Sequence, residues 1–251
     1  MKTSFWPPFV LVCLFLGILE ISVDQGWLSA YLVPAPSHMA LELKEDAGSF
    51  ARAFLESAAT SFAGLFMSLV FGLSLAFLFS LSSLVRQAVY PFTLLFQTVP
   101  IVAIAPLLVI WFGFGPVTVR TSAFIVSVFP VLANTLMGLE QVPTELQELF
   151  FVLKSTRWQQ LLRLALPHAL PAIFAGLRMA AGLSVIGSIV GEFIAGGGLG
   201  SLIDSARMQQ RVDIVFSAVF LSAILGLILV KTVDLCQALV ARQRPYFLED
   251  A

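Results

Sequence analysis

Few residues in this chain have side chains able to do chemistry, and they are scattered. Gln97, Asn134, Arg178, Ser184, Ser188 and Glu192 fall within or at the ends of long apolar runs. A charged group at mid-bilayer costs roughly 3 kcal/mol on insertion scales, so such groups face protein or water and mark paths for solutes. Gln97, Asn134 and Glu192 are therefore candidates for a path or gate, although Glu192 sits near the end of its run and can also reach water. Arg178 lies deeper, where it can snorkel along its own stem, pair with a carboxylate or meet an anionic solute. Ser184 and Ser188 are one helical turn apart, and serines so placed commonly bond a carbonyl of their own helix.

Bond-making chemistry finds no support. Gly182-Leu183-Ser184-Val185 has a serine after a glycine but lacks the glycine that an intramembrane serine nucleophile wants after it. No histidine follows His168, and His38 lies on the opposite side of the predicted membrane. The cluster Gly196-Gly197-Gly198-Leu199-Gly200 lacks the lysine and the preceding strand of a phosphate-binding loop, so it reads as a re-entrant turn. Cys13 and Cys236 sit in apolar runs and read as packing thiols, with no disulfide framework and no metal site. The chain is expected to carry no cofactor and to be no enzyme.

The elements that hold these residues must be membrane helices. The chain has 251 residues, 59% of them hydrophobic and 12% charged. A soluble domain carries about 25% charge, so a soluble enzyme is excluded. With 14 Lys+Arg against 15 Asp+Glu there is also no basic field for nucleic acid. At about 20 residues per span, the apolar runs predict six helices over about 9–27, 58–82, 92–114, 121–139, 171–193 and 214–236, in one membrane domain covering 1–251. The N-terminal run lacks a convincing cleavage site and reads as a retained span. Pro100, Pro106 and Pro130 predict kinks. Gly187 and Gly191 form a G-x-x-x-G pair for close helix packing, either within the chain or between two copies.

Orientation follows from the cations. With a cytoplasmic N-terminus, Lys2, Arg86, Lys154, Arg157, Arg163, Lys231, Arg242 and Arg244 lie inside, against Lys44, Arg52, Arg120, Arg207 and Arg211 outside. Both termini and the 140–170 segment are thus expected in the cytoplasm.

That segment is the most informative stretch. Thr144 with Gln147, and Thr156 with Gln159, have capping-box spacing. Leu146, Leu149, Phe150 and Leu153 repeat at helical spacing after the first, and Trp158, Leu161, Leu162, Ala165 and Leu166 after the second. Two short amphipathic helices joined at Lys154-Ser155 are predicted, with Pro167 and Pro171 ending the second and starting the fifth span. Such a pair either lies on the inner leaflet or fits its apolar stripe into a partner's groove.

The segment resembles the coupling loop of permease subunits of binding-protein-dependent ABC importers. There a Glu-Ala-Ala run is followed by a glycine and, further on, a Leu-Pro pair. Here Glu148 takes the acidic position, Leu149 and Phe150 replace the alanines, Lys154 replaces the glycine, and Leu166-Pro167 matches the Leu-Pro pair. Lysine does not take positive φ cheaply, so the bend is expected to use another geometry or to fall on Ser155. Leu32-Val33-Pro34-Ala35-Pro36-Ser37, Val99-Pro100 through Pro106, Ala175-Gly176-Leu177-Arg178, Val190-Gly191-Glu192-Phe193 and Gly198 to Ile203 resemble the nitrate, sulfonate and taurine permeases over about residues 28–235. Ala103-Ile104-Ala105-Pro106 resembles the branch proposed to carry pyrimidine precursors of thiamine.

The resemblance implies an all-α polytopic membrane protein with the type I ABC importer permease fold, in a bacterial inner membrane. Its partners would be a second permease copy, a cytoplasmic ATPase dimer holding ATP and Mg, and an outside solute-binding protein. It implies coupling helices over 144–166, with Glu148, Leu149, Phe150, Leu153, Lys154, Thr156, Arg157 and Trp158 touching the ATPase. It also implies that the fifth span, with Ser184 and Ser188, lines the path. The cargo would be a small polar or anionic solute of the pyrimidine-precursor, sulfonate, taurine or nitrate class. An ion-gradient-driven secondary transporter is the competing class. That class wants mid-membrane carboxylates or paired broken helices, and Glu20 is the only span acid clearly away from an end.

Overall fold

The computed structural model describes residues 6–29 and 31–243; Lys2 and Arg244, used above for orientation, lie outside them. Every regular element among the described residues is helical. In chain order these are α1 (Trp6–Asp24), α2 (Pro36–Glu45), α3 (Ala47–Leu81), α4 (Ser83–Thr98), α5 (Ile101–Phe112), α6 (Pro116–Glu140), α7 (Thr144–Val152), α8 (Arg157–Gln160), a π-turn (Leu161–Ala165), α9 (Leu166–Ala195), α10 (Gly198–Met208) and α11 (Val212–Gln243). Four stretches are long and apolar enough to cross a bilayer: Ala47–Leu81, Pro116–Glu140, Arg157–Ala195 and Val212–Arg242. α1 is apolar but carries its large side chains outward, with Leu11, Leu14, Phe15 and Ile18 all exposed.

The core is a three-helix packing of α3, α6 and α9, with α11 against α9. Small residues make it possible. A Cβ on Gly64 of α3 would lie 2.4 Å from Ala123 Cβ of α6, and one on Gly187 of α9 would lie 2.8 Å from Ala123 Cα. The Gly187–Gly191 pair therefore packs inside the chain, against α6, because lipid provides no hydrophobic drive and close backbone approach must supply the attraction. Around these contacts Leu65, Phe79, Leu132, Leu136, Phe174, Leu177, Leu225 and Leu229 form one buried cluster. A second, with Phe50, Leu199, Ile203 and Ala218, seats α10 between α3 and α11.

Prolines behave differently from expectation at two places. The segment read as one span over 92–114 is two helices, α4 and α5. Val99 (ψ 123°) and Pro100 (ψ 129°) are extended between them. The proline disfavours the helical region for the residue before it, and its ring leaves no amide to bridge the gap. Pro106, by contrast, stays inside α5. Pro167 and Pro171 were expected to end the second cytoplasmic helix, yet the chain runs on from Arg157 to Ala195 as one rod. The π-turn absorbs the mismatch: the Leu166 N–H reaches back five residues to Leu161 O, a local widening of the kind that lets a helix continue past a disruption. Cys13 and Cys236 are not packing thiols, since both lie on exposed helix faces.

Candidate coupling surface and buried polar cluster

The two ends of the α3/α6/α9 bundle carry different chemistry. At one end, α7 and α8 form the pair of short helices expected from the periodicity. The second start signal is present as read: Thr156 Oγ1 accepts the Gln159 N–H at 3.3 Å, and Gln159 Oε1 accepts the Thr156 N–H at 2.8 Å. The first is not. Pro143 occupies the cap position and Thr144 is already helical. Gln147 instead donates its side-chain amide to Val142 O at 2.8 Å. Proline before the helix supplies the extended entry that a threonine cap would otherwise provide.

The turn between α7 and α8 answers what Lys154 does in place of glycine. Lys154 itself takes φ 51°. Its N–H bonds Phe151 O at 2.9 Å, and the Ser155 N–H bonds Phe150 O at 3.1 Å. This pairing is the Schellman cap that ends helices at a left-handed residue. The Ser155 hydroxyl donates to the same Phe150 carbonyl at 2.7 Å, which helps to hold a residue whose Cβ disfavours that conformation.

α7 and α8 turn apolar surface outward. Leu149, Phe151, Val152, Leu153 and Trp158 are between 51% and 78% exposed, while Phe150 is half-buried and Leu161 is buried. Glu148 and Lys154 are exposed beside them. A contiguous apolar ridge rimmed by charge suits either a membrane surface or a partner's groove. Phe151 and Val152 were missed because a single helical stripe was sought; the unbroken run Leu149-Phe150-Phe151-Val152-Leu153 already signals more apolar surface than one stripe holds. The ridge is fastened to the membrane bundle. Arg157 donates to Leu81 O at the end of α3 (3.3 Å). Nearby, Arg86 pairs with Glu140, joining the start of α4 to the end of α6.

At the opposite end, α3, α9 and α10 meet over a buried carboxylate. Glu192 is 2% exposed and does not reach water. Its Oε2 accepts from Ser57 Oγ (2.8 Å) and from the Gly200 N–H (2.9 Å). Its Oε1 accepts from Ser188 Oγ (3.1 Å) and Thr60 Oγ1 (3.3 Å). The Gly198 N–H bonds Glu56 Oε2 (2.9 Å) and the Leu199 N–H bonds Ser57 Oγ (2.8 Å). The first three amides of α10, orphaned by helix geometry, are thus each capped by a side chain of α3 or α9, and the carboxylates complement the helix dipole. The glycines are steric requirements. Gly196, Gly197 and Gly198 all have positive φ, and a Cβ on Gly198 would lie 2.4 Å from Glu192 Cδ.

The other expected path residues divide. Gln97 is exposed beside the α4–α5 break. Asn134 is half-buried and donates to Pro130 O at 2.9 Å, within its own helix. Ser184 is buried and donates to Ala181 O (2.9 Å). Ser188 is buried and pairs instead with Thr60 (2.7 Å) and Glu192. Ser57 and Thr60 were not singled out from sequence, although Ser57/Thr60 at i, i+3 and Ser188/Glu192 at i, i+4 form two matching polar faces. Arg178 pairs with Asp234 (2.8 Å) and donates to Gln237 (2.7 Å), tying α9 to α11, with Lys231 3.4 Å from the same aspartate. Outside the spans, Arg211 bridges Glu42 (2.7 Å) and Asp213 (3.0 Å). Removal from water raises the Glu42 carboxyl above its usual range, against the opposing pull of Arg211.

Comparison with known proteins gives the family and the fold. The family described as binding-protein-dependent transport system inner membrane component matches residues 68–244. A probable ABC transporter permease protein of Haemophilus influenzae is 31% identical over 235 residues, covering 93% of this chain and 96% of its own length. The formylaminopyrimidine transport permease protein ThiX of Halalkalibacterium halodurans is 34% identical over 225 residues, covering 88% and 89%. Among solved structures, the inward-facing MetNI methionine ABC transporter superposes with a TM-score of 0.68 at 19% identity, over 77% of this chain and 97% of that one. This last likeness shows the fold, that of a type I ABC importer permease.

Proposed function

The chain belongs to the family of binding-protein-dependent transport system inner membrane components, and from that premise we propose how it works as the permease subunit of an ATP-driven ABC importer. It carries no bond chemistry of its own. A cytoplasmic ATPase dimer binds ATP and Mg and grips the 144–166 segment through Glu148, Leu149, Phe150, Leu153, Lys154, Thr156, Arg157 and Trp158. A solute-binding protein docks at the α10 end, and a second permease copy completes the path. Both termini and the α7–α8 end face the cytoplasm.

The observation that carries this is the exposed apolar ridge on α7–α8, held to α3 by Arg157. A ridge on a rigid lever transmits motion; a ridge on a loose loop would not. Nucleotide-driven movement of the ATPases would tilt α9, continuous with α8 through the π-turn, and so exchange inward-open and outward-open states. Ser188 and Glu192 would act as a latch at the outer end of α9, with Ser184 beside it, while Gln97 and Asn134 border the path. The cargo is a small polar or anionic solute of the pyrimidine-precursor, sulfonate, taurine or nitrate class. ThiX, a formylaminopyrimidine permease by name, covers most of the chain and supports the first of these.

The test is reconstitution in liposomes with a co-purified ATPase and binding protein. ATP-dependent uptake is the expected result. Uptake by the chain alone on a proton or sodium gradient would contradict it and restore the secondary-transporter alternative.

A further inference from the structure

The backbone break between α4 and α5 lies deep in the bundle. α4 starts at the α7–α8 end, where Arg86 pairs with Glu140 of α6. α5 ends at the α10 end, where the Gly115 N–H bonds Ala195 O at 3.0 Å. α6 runs between the same two ends. With a helical rise of about 1.5 Å per residue, α4 is about 24 Å long, α5 about 18 Å and α6 about 37 Å. The break therefore falls near the middle of α6, inside a hydrocarbon layer about 30 Å thick.

It leaves backbone groups unmet at that depth. Among the described residues, the Val99, Ile101 and Val102 amides and the Gln97, Thr98 and Val99 carbonyls make no hydrogen bond. The Thr98 hydroxyl reaches back to Leu95 O at 2.8 Å, and the Ala103 N–H bonds Pro100 O at 2.9 Å. Pro106, one turn further on, lacks the amide that would serve Val102 O. Gln97, Thr98, Val99, Pro100 and Val102 are all exposed, so the rest of the chain does not cover the break. Hydrocarbon cannot satisfy these groups. Irregular backbone at membrane depth occurs only where protein buries it or a water-filled cavity bathes it.

Deepening the permease function proposed above, and resting on it, we infer that the 97–102 break is the mid-membrane segment of the water-filled solute path, where backbone amides and carbonyls and the Gln97 side chain stand in for the hydration of a passing solute. α5 packs against α9, the span expected to line that path. Water meets donors and acceptors of both kinds without a matching partner surface, whereas a second copy packed dry over the break would have to pair each of them. Dispersed backbone dipoles also hold a solute weakly enough to let it leave, as conduction requires.

The experiment uses the full importer complex in nanodiscs. Wild type is placed in deuterated buffer and followed by mass spectrometry. The Val99, Ile101 and Val102 amides should exchange within about a minute, while mid-span peptides of α6 stay protected for about an hour or longer. Val99→Cys is then compared with Leu227→Cys on the exposed face of α11, both with Cys13 and Cys236 changed to Ser, using an ammonium-bearing methanethiosulfonate reagent. Val99→Cys should react at least about tenfold faster, because the attacking thiolate forms only where water reaches it. Its modification should also abolish ATP-dependent uptake. Exchange at 97–102 as slow as in α6, the result of lipid or a dry second copy against the break, would overturn the inference, and this reading stands even if the cysteine variant fails to assemble. Equal reactivity of the two cysteines, or uptake that survives complete modification of Val99→Cys, would overturn it as well. Fast exchange in a wild-type complex that shows no ATP-dependent uptake would instead count against the permease function and leave the hydrated break standing.

Discussion

Ser57 Oγ of α3 donates to Glu192 Oε2 of α9 at 2.8 Å, across 135 residues of chain. The same hydroxyl accepts the Leu199 N–H of α10, so one serine and one carboxylate hold three helices at a single point. Glu192→Ala removes the acceptor for Ser57, Gly200, Ser188 and Thr60 at once. Unmet buried donors cost about 1–3 kcal/mol each, softened where Thr60 and Ser188 still bond one another. A loss of about 2–4 kcal/mol is expected for the alanine variant. Glu192→Gln should cost less, because its amide oxygen still serves one pair of donors. Thermal unfolding of the purified permease in detergent checks the order; equal stability of wild type and both variants would contradict the latch.

Gly200 tests the same junction without touching charge. An added Cβ would meet Ile189 O at 2.5 Å and Glu192 Cβ at 2.7 Å. Gly200→Ala should therefore lift α10 from its seat and open it to proteolysis. Gly48→Ala, where nothing lies within 4 Å, should leave the digestion pattern unchanged. Limited proteolysis of the two variants side by side gives the answer, and identical patterns would mean that α10 is not held there.

Much of the α7–α8 end was legible in sequence, because what shapes it is local. Thr156 and Gln159 are three residues apart, and their reciprocal bonds need no other part of the fold. Thr144 and Gln147 have the same spacing, but Pro143 takes over the cap; a proline one residue upstream outweighs the motif. Lys154 was expected to avoid the left-handed region and does not, since the Schellman bonds and Ser155 compensate locally. The α10 end was harder to read. Glu192 looked like a residue near water because its neighbours in sequence say nothing about Ser57 and Thr60, which reach it only through tertiary packing. Gly187 and Gly191 signalled close approach but not against which helix.

The Lys154 cap is open to test from both sides. A β-branched residue tolerates φ 51° far less well than lysine, and glycine adopts it freely. Lys154→Gly should raise stability by up to about 1 kcal/mol, whereas Lys154→Val should lower it. Unfolding midpoints of the two variants decide it; a valine variant as stable as wild type would show that the turn is not shaped by that residue.

Arg178 and Asp234 make a separate prediction about how α9 is tied to α11. Arg178→Gln leaves Asp234 with Lys231 as its remaining cationic partner, 3.4 Å away, and Asp234→Asn leaves Arg178 with Gln237. Each single variant should lower stability, and the double variant should lose less than the sum of the two, as for any pair in direct contact. A double-mutant cycle on detergent-purified protein reads the coupling. Strict additivity would mean that the pair contributes nothing.

The central claim is that the α7–α8 ridge carries force between a soluble ATPase and the membrane helices. The most direct measurement is ATP hydrolysis by the assembled importer, stimulated by its loaded binding protein, in wild type and in Leu149→Asp, Phe151→Asp and Trp158→Asp. These residues are exposed, so the permease should fold and insert normally. Stimulated hydrolysis is expected to fall at least about tenfold, the loss of about 1.4 kcal/mol of interface energy or more, and the ATPase should co-purify poorly. Undiminished stimulation in all three variants, or in a chain lacking 145–166, would contradict the account.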